Sequence, residues 1–130
     1  MRYLLDANVV IALLNKRNPQ VAKRARAHKP HDVGISSIVV YELFYGAYKS
    51  ARLAENVTLV DSLLFEVLEF DKEDAREAGK LRAQLARRGT PIGPYDVLIA
   101  GQAKARGLIL VTHNTVEFAR IAGLRTEDWQ

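Results

Sequence analysis

The chain has no cysteine, which excludes a disulfide framework, a thiolate metal site and a cysteine nucleophile. It has no uncharged apolar run near the ~20 residues that a membrane span requires. Its first residues, Met1-Arg2-Tyr3-Leu4-Leu5-Asp6, reach a carboxylate too early for the apolar stretch of a signal peptide. With 48% hydrophobic and 26% charged residues, the composition is close to that of an average globular chain. A disordered tail, a collagen-like or coiled-coil fibre and a membrane protein are set aside. The expectation is a cytoplasmic domain, with no membrane partner, that stands on its hydrophobic core.

At roughly 100–200 residues per domain, residues 1–130 make one domain. Nineteen Lys and Arg against fifteen Asp and Glu give a formal charge of +4. A charge of that size favours a polyanion only weakly, so its distribution matters more. Lys16, Arg17, Lys23, Arg24, Arg26 and Lys29 follow one another with no acid between them. Arg76, Lys80, Arg82, Arg87 and Arg88 form a second basic stretch relieved only by Glu77. A solvated helix face explains either stretch alone. Together they point to nucleic acid, with Lys23, Arg24 and Arg26 as the candidate RNA contacts.

The apolar runs are short and separated by helical patterns. Tyr3-Leu4-Leu5 reads as a buried strand, Val33-Gly34-Ile35 as a second and Val67 to Phe70 as a third, with Leu108 to Thr112 the clearest. Helices are expected from after Asp6 to Asn18-Pro19, from Pro19 to about Ala27, from Ile38 to Tyr48 and from Leu53 to Leu64. Further helices are expected from Lys72 to Arg88, from Pro94 to Gly107, and briefly from Thr115. Ser36 or Ser37 is a natural N-cap, and Gly89 to Pro94 cannot be regular structure. Residues 121–130 read as a tail. Strands that are apolar throughout mark a parallel sheet covered on both faces. The expected fold is a single three-layer α/β domain, with a central, mostly parallel sheet flanked by helices.

The chemistry lies in acids that stand alone. Asp6 is the only charged residue between Arg2 and Lys16, Glu42 the only one from Val33 through Tyr48, and Asp96 the only one from Gly89 through Ala103. A carboxylate in an apolar segment costs several kcal/mol of desolvation unless a cation or hydrogen bonds compensate. Each acid by itself could be a helix cap or half of a buried ion pair. Three together, with no Lys or Arg in their segments, call for distant cations or a metal. In open parallel sheets ligands bind beyond the C-terminal strand ends, where Asp6 follows the first strand and Asn114 follows the last clear one. Hard oxygen donors without a His or Cys cluster suit Mg²⁺, with Mn²⁺ as a substitute. An acidic pocket flanked by basic segments is what metal-dependent phosphodiester hydrolysis requires.

The chain resembles the PIN-domain ribonucleases of the VapC kind, the toxins of bacterial type II toxin–antitoxin pairs. The resemblance rests on Leu5-Asp6-Ala7-Asn8, on Ile35-Ser36-Ser37-Ile38-Val39-Val40-Tyr41-Glu42-Leu43 with Tyr45-Gly46-Ala47, and on Gly93-Pro94-Tyr95-Asp96-Val97-Leu98-Ile99-Ala100. Leu110-Val111-Thr112-His113-Asn114, Glu117-Phe118 and Glu127-Asp128-Trp129 extend it almost end to end.

That resemblance implies a PIN-like fold and an Mg²⁺-dependent endoribonuclease that cleaves structured tRNA or rRNA loops with metal-activated water. It makes Asp6, Glu42, Asp96 and Asn114 the catalytic set, Asp6 and Asp96 the direct metal ligands, and Asn8 and Thr112 the residues that hold those ligands from behind. Many relatives carry a fourth acid where this chain has Asn114, and an amide can still offer an oxygen or hold a water. Glu117, one helical turn on, is read as a surface residue, with supply of the charge missing at Asn114 as the alternative, and His113 is read as structural. The implied partners are an RNA substrate, a small cognate antitoxin and a second copy of the chain. A non-toxin RNA-processing nuclease and a non-catalytic RNA-binding module are the competing readings. A receiver- or phosphatase-like domain is a weaker one, because it leaves Glu42 and Asp96 unexplained.

Overall fold

Strand β1 (Tyr3–Leu5) lies at the centre of a five-stranded sheet and is buried along its whole length. β2 (Val33–Ser36) and β4 (Ile109–Val111) flank it, with β3 (Glu66–Leu68) and β5 (Thr126–Glu127) at the edges. Every pairing is parallel, so the sheet is parallel throughout rather than mostly. The computed structural model describes all 130 residues. Helices α1 (Ala7–Asn15), α2 (Pro19–Arg26), α3 (Ser37–Lys49) and α4 (Leu53–Asp61) carry the chain from β1 through β2 to β3. Helices α5 (Lys72–Arg87) and α6 (Pro94–Ala105) return it to β4, and α7 (Thr115–Phe118) leads to β5. Right-handed crossovers place these two runs on opposite faces of the sheet, giving three layers. No helix is long and apolar enough to cross a membrane.

Local signals set the helix starts. Asn18 Oδ1 accepts the Gln20 and Val21 amides at 3.1 and 3.3 Å, with Pro19 opening α2. Ser36 caps α3 by accepting from the Ile38 amide at 3.1 Å. Its neighbour Ser37 instead accepts from the Phe70 amide at 3.1 Å, tying the exit of β3 to the start of α3. Asp71 and Asp74 form a capping box at α5. Asp74 is buried and also receives Arg106 at 2.9 Å and Gln102 at 3.0 Å, which binds α5 to α6. Gly101 permits that approach, since a Cβ there would stand 2.5 Å from Ala78 Cα.

Two readings of the sequence change. β3 is an exposed edge strand and not a covered one, with Glu66 and Val67 facing solvent. Residues 121–130 are not a loose tail: Thr126–Glu127 pairs with Leu110 and Val111, and Trp129 is fully buried. The Trp129 ring stands 5.3 Å from Tyr3 and 5.1 Å from His28. A two-residue strand carries no periodicity to read, and its pairing depends wholly on the neighbouring β4.

Candidate active site

The strand order turns at β1 and β4, because the chain winds outward from β1 to β3 and then returns to the other side. Such a reversal opens a crevice beyond the C-terminal strand ends. Asp6 directly follows β1 and Thr112 directly follows β4, so both stand at that crevice. Asp6 is 5% exposed. Its Oδ1 accepts the Val9 amide at 3.0 Å, capping α1, and its Oδ2 accepts the Thr112 hydroxyl at 2.6 Å. Burial pushes the Asp6 carboxyl above its ordinary range, against the opposing pull of the Thr112 hydroxyl and the Val9 and Asn8 amides. The Asn8 side chain is exposed, and it is the backbone N–H of this residue that acts on Asp6.

Glu42 sits on α3 with Oε1 buried and without a hydrogen-bond partner. Burial, then the charges of Asp96 and Asp6, raise it to about 7. Asp96 lies in the first turn of α6, its Oδ2 against Gly93, where a Cβ would come within 3.1 Å of it. Burial raises Asp96 too, followed by the charges of Glu117 and Asp6. The three acids therefore feel one another, and no Lys or Arg acts on any of them. The one positive charge that reaches the set is that of His113 on Asp6, and it does not offset burial.

Glu117 is not a detached surface residue. Its Oε1 accepts the Gly93 amide at 3.0 Å and its Oε2 accepts the Asn114 amide nitrogen at 2.7 Å, which hold its carboxyl below the usual range. It braces the Gly89–Pro94 loop against the start of α7. Asn114 thus turns its amide nitrogen to Glu117, while its backbone amide donates to Thr112 Oγ1 at 3.0 Å. His113 is exposed and faces Asp128 at 3.0 Å.

Lys23, Arg24 and Arg26 form no ion pair with Asp6, Glu42 or Asp96. Just beyond α2, His28 packs on Tyr3 at the start of β1, with ring centroids 4.5 Å apart. Arg24 is occupied, donating to the Asp128 carbonyl at 3.2 Å and pairing with Glu127 at 3.7 Å. Arg26 borders an apolar cleft of about 910 Å³ lined by Leu13, Leu14, Ala22, Ala25, Leu63 and Phe65. None of Asp6, Glu42 and Asp96 lines this cleft. Sequence reasoning missed the brace of Glu117 and Gly93, which spans the gap between two loops. It also missed Tyr41 and Tyr95, whose rings meet beside Glu42 and Asp96. Their adjacency to the two lone acids was the only signal that could have found them.

The three acids offer carboxylate oxygens only, and one of these, Glu42 Oε1, is buried without a partner. Both features fit a hard divalent cation. The side chains stand apart: no group of three acids or histidines is gathered closely enough to clasp an ion. Taken together, fold and pocket define an α/β domain with a carboxylate site at its topological switch point. The chain belongs to the PIN-domain family, whose sequence pattern matches residues 3–124. It is 41% identical to the "tRNA(fMet)-specific endonuclease VapC" of Shigella flexneri, covering 99% of this chain and 98% of that protein. Among solved structures, DNA-bound VapBC from Salmonella typhimurium superposes with a TM-score of 0.95 at 42% identity, over 100% of this chain and 99% of that one. VapBC2 from Rickettsia felis, bound to a fragment of its promoter DNA, gives a TM-score of 0.91 at 34% identity over the full length of both chains.

Proposed function

We propose that the protein is a divalent-metal-dependent endoribonuclease, the toxin of a toxin–antitoxin pair, and that it cleaves a structured tRNA. The observation that carries this reading is the acidic set Asp6, Glu42 and Asp96, mutually repelling and with no Lys or Arg acting on it. The relatives' names supply the substrate class: the Shigella protein is specific for tRNA(fMet), so initiator tRNA is the first RNA to test. The related VapBC structures supply the partner class, a small antitoxin whose complex with the toxin binds DNA. We further propose a homodimer acting in the cytoplasm.

Asp6 and Asp96 are the residues that would hold Mg²⁺, or Mn²⁺ in its place. When bound, the ion supplies a Lewis acid that makes water a stronger nucleophile and offsets charge on the phosphate. The chain's own residues do the rest. The Val9 amide and the Thr112 hydroxyl fix the Asp6 carboxylate in one orientation. Glu117, through the Gly93 amide, fixes the loop that delivers Asp96. Glu42, the third acid of the set, is the carboxylate placed to take a proton from a water attacking phosphorus. In-line attack by water breaks the bond to the 3′-oxygen and leaves a 5′-phosphate and a 3′-hydroxyl. Asn114, bound to Glu117, keeps the end of β4 and α7 in register with this loop.

Expression without the antitoxin, followed by mapping of new RNA 5′ ends, tests the proposal. Growth arrest with a few discrete cuts in tRNA is expected, and both should vanish in Asp6→Ala. Arrest and cutting that persist in Asp6→Ala would place the chemistry elsewhere.

A further inference from the structure

The mechanism above makes no use of two exposed aromatic rings at the rim of the carboxylate pocket. Tyr41 immediately precedes Glu42 on α3, and Tyr95 immediately precedes Asp96 on α6. Their ring centroids lie 5.6 Å apart at an interplanar angle of 52°, and their hydroxyls approach to 3.4 Å. Yet the residues remain 53% and 42% exposed. Tyr45, one turn along α3 from Tyr41, is 58% exposed, and Lys49 Nζ stands 5.5 Å from its ring centroid. An aromatic rim with a cation at one end therefore adjoins an acidic pocket.

The aromatic faces select for the shape and chemistry of what they touch. A nucleobase offers a flat π surface to tyrosine without any sequence requirement, and its phosphate backbone offers charge to Lys49. Acidic peptides would be repelled by Glu42 and Asp96 next door. Position strengthens the choice of nucleic acid: each ring belongs to the residue next to an acid that would face the phosphate being cut.

We infer that Tyr41 and Tyr95 form a stacking platform that holds an unpaired nucleobase of the RNA beside the cleaved phosphate, with Tyr45 and Lys49 continuing it along the strand. This rests on the RNA-cleaving reading of the carboxylate site. It assigns the two tyrosines a substrate-positioning role, distinct from the acid chemistry. It also accounts for several exposed tyrosines gathered in one place.

The test uses the full chain in an Asp6→Asn background, which binds RNA without cutting it, and a short single-stranded oligoribonucleotide. Tyr95→Phe should bind within about twofold of the parent, because the ring face is kept. Tyr95→Leu and Tyr41→Leu should each weaken binding by roughly ten- to hundredfold, the scale of one lost base–aromatic stack. In the cleaving protein the same Leu substitutions should raise KM more than they lower kcat. Equal binding by the Phe and Leu variants would overturn the platform. So would an equal loss in both, which would assign the effect to the bridge between hydroxyls. A Leu variant that changes the oligomeric state or antitoxin binding while RNA binding stays constant would make the rim a protein interface instead. Photocrosslinking of 4-thiouridine RNA to the unmutated tyrosines needs no Leu variant to fold: adducts on Tyr41 or Tyr95 are expected, and adducts confined to other sites contradict the inference. A wild-type protein that cuts no RNA would instead refute the nuclease reading itself.

Discussion

Thr112 donates its hydroxyl to Asp6 Oδ2 over 2.6 Å, so the residue that ends β4 holds the acid that ends β1. Thr112 Oγ1 in turn accepts the Asn114 backbone amide at 3.0 Å. Thr112→Val keeps the size and removes both bonds inside a fully buried site. Stability should fall by about 1–3 kcal/mol, the cost of stranding buried polar groups. Cleavage should fall roughly ten- to hundredfold, as when a group supporting a metal ligand is lost. Thr112→Ser should restore most of both, measured by thermal melting and by single-turnover cleavage. A Val variant with wild-type cleavage would detach Thr112 from the site.

Glu117 joins the Gly93 amide to the Asn114 side chain, and its charge helps to hold Asp96 above its ordinary titration range. Glu117→Ala should free the loop before α6 and let Asp96 titrate lower. The bonds lie near the surface, so the stability cost is about 1 kcal/mol. Carboxyl NMR titration of Asp96 reads the electrostatic part directly. An unchanged Asp96 titration in the variant would show that Glu117 does not act on it.

The three raised carboxyls make a pH prediction whose sign is fixed. Asp6, Glu42 and Asp96 all hold protons in the folded chain that the unfolded chain releases. From the ordinary Glu value of 4.5 up to the raised value of about 7, the folded state binds more protons. Stability in EDTA should therefore fall as pH rises through that window. Glu42→Gln should flatten the profile, and added Mg²⁺ should restore stability above it. A melting temperature in EDTA that rises over the same window would contradict the repulsion.

Arg106 and Asp74 form the opposite case, a charge pair that lowers its acid. Arg106 Nη2 stands 2.9 Å from Asp74 Oδ2, and the Asp74 side chain is 1% exposed. The folded acid lies below its ordinary value, so its stabilising contribution is full above that value and is lost as pH falls through the lowered one. Arg106→Met strands a buried carboxylate and should cost about 3 kcal/mol, because the guanidinium is itself partly exposed. Urea unfolding near neutral pH measures this. A cost below about 1 kcal/mol would reduce the pair to a surface contact.

The sequence carried the order of strands and helices because four helix starts have a local cause: Asp6, Asn18, Ser36 and Asp71 all cap the helices they precede. It carried the lone acids because their isolation is a property of neighbours in the chain. It did not carry β5, whose two residues owe their pairing to β4, nor the burial of Trp129 against Tyr3 and His28. Arg24 looked free for phosphate because Asp128 and Glu127, which engage it, lie a hundred residues away. Glu117 looked detached because its partner Gly93 sits in another loop. Pairings of this kind arise only when distant segments meet.

The most direct measurement is cleavage of initiator tRNA by Asp96→Asn beside the wild type, with melting temperature followed in Mg²⁺ and in EDTA. The swap keeps the side-chain shape and removes one of the three repelling charges. The expected result is no detectable cleavage, a smaller Mg²⁺-induced rise in melting temperature than in the wild type, and no loss of stability in EDTA. Cleavage by Asp96→Asn at the wild-type rate, or wild-type cleavage unaffected by EDTA, would contradict a metal site built on these carboxylates.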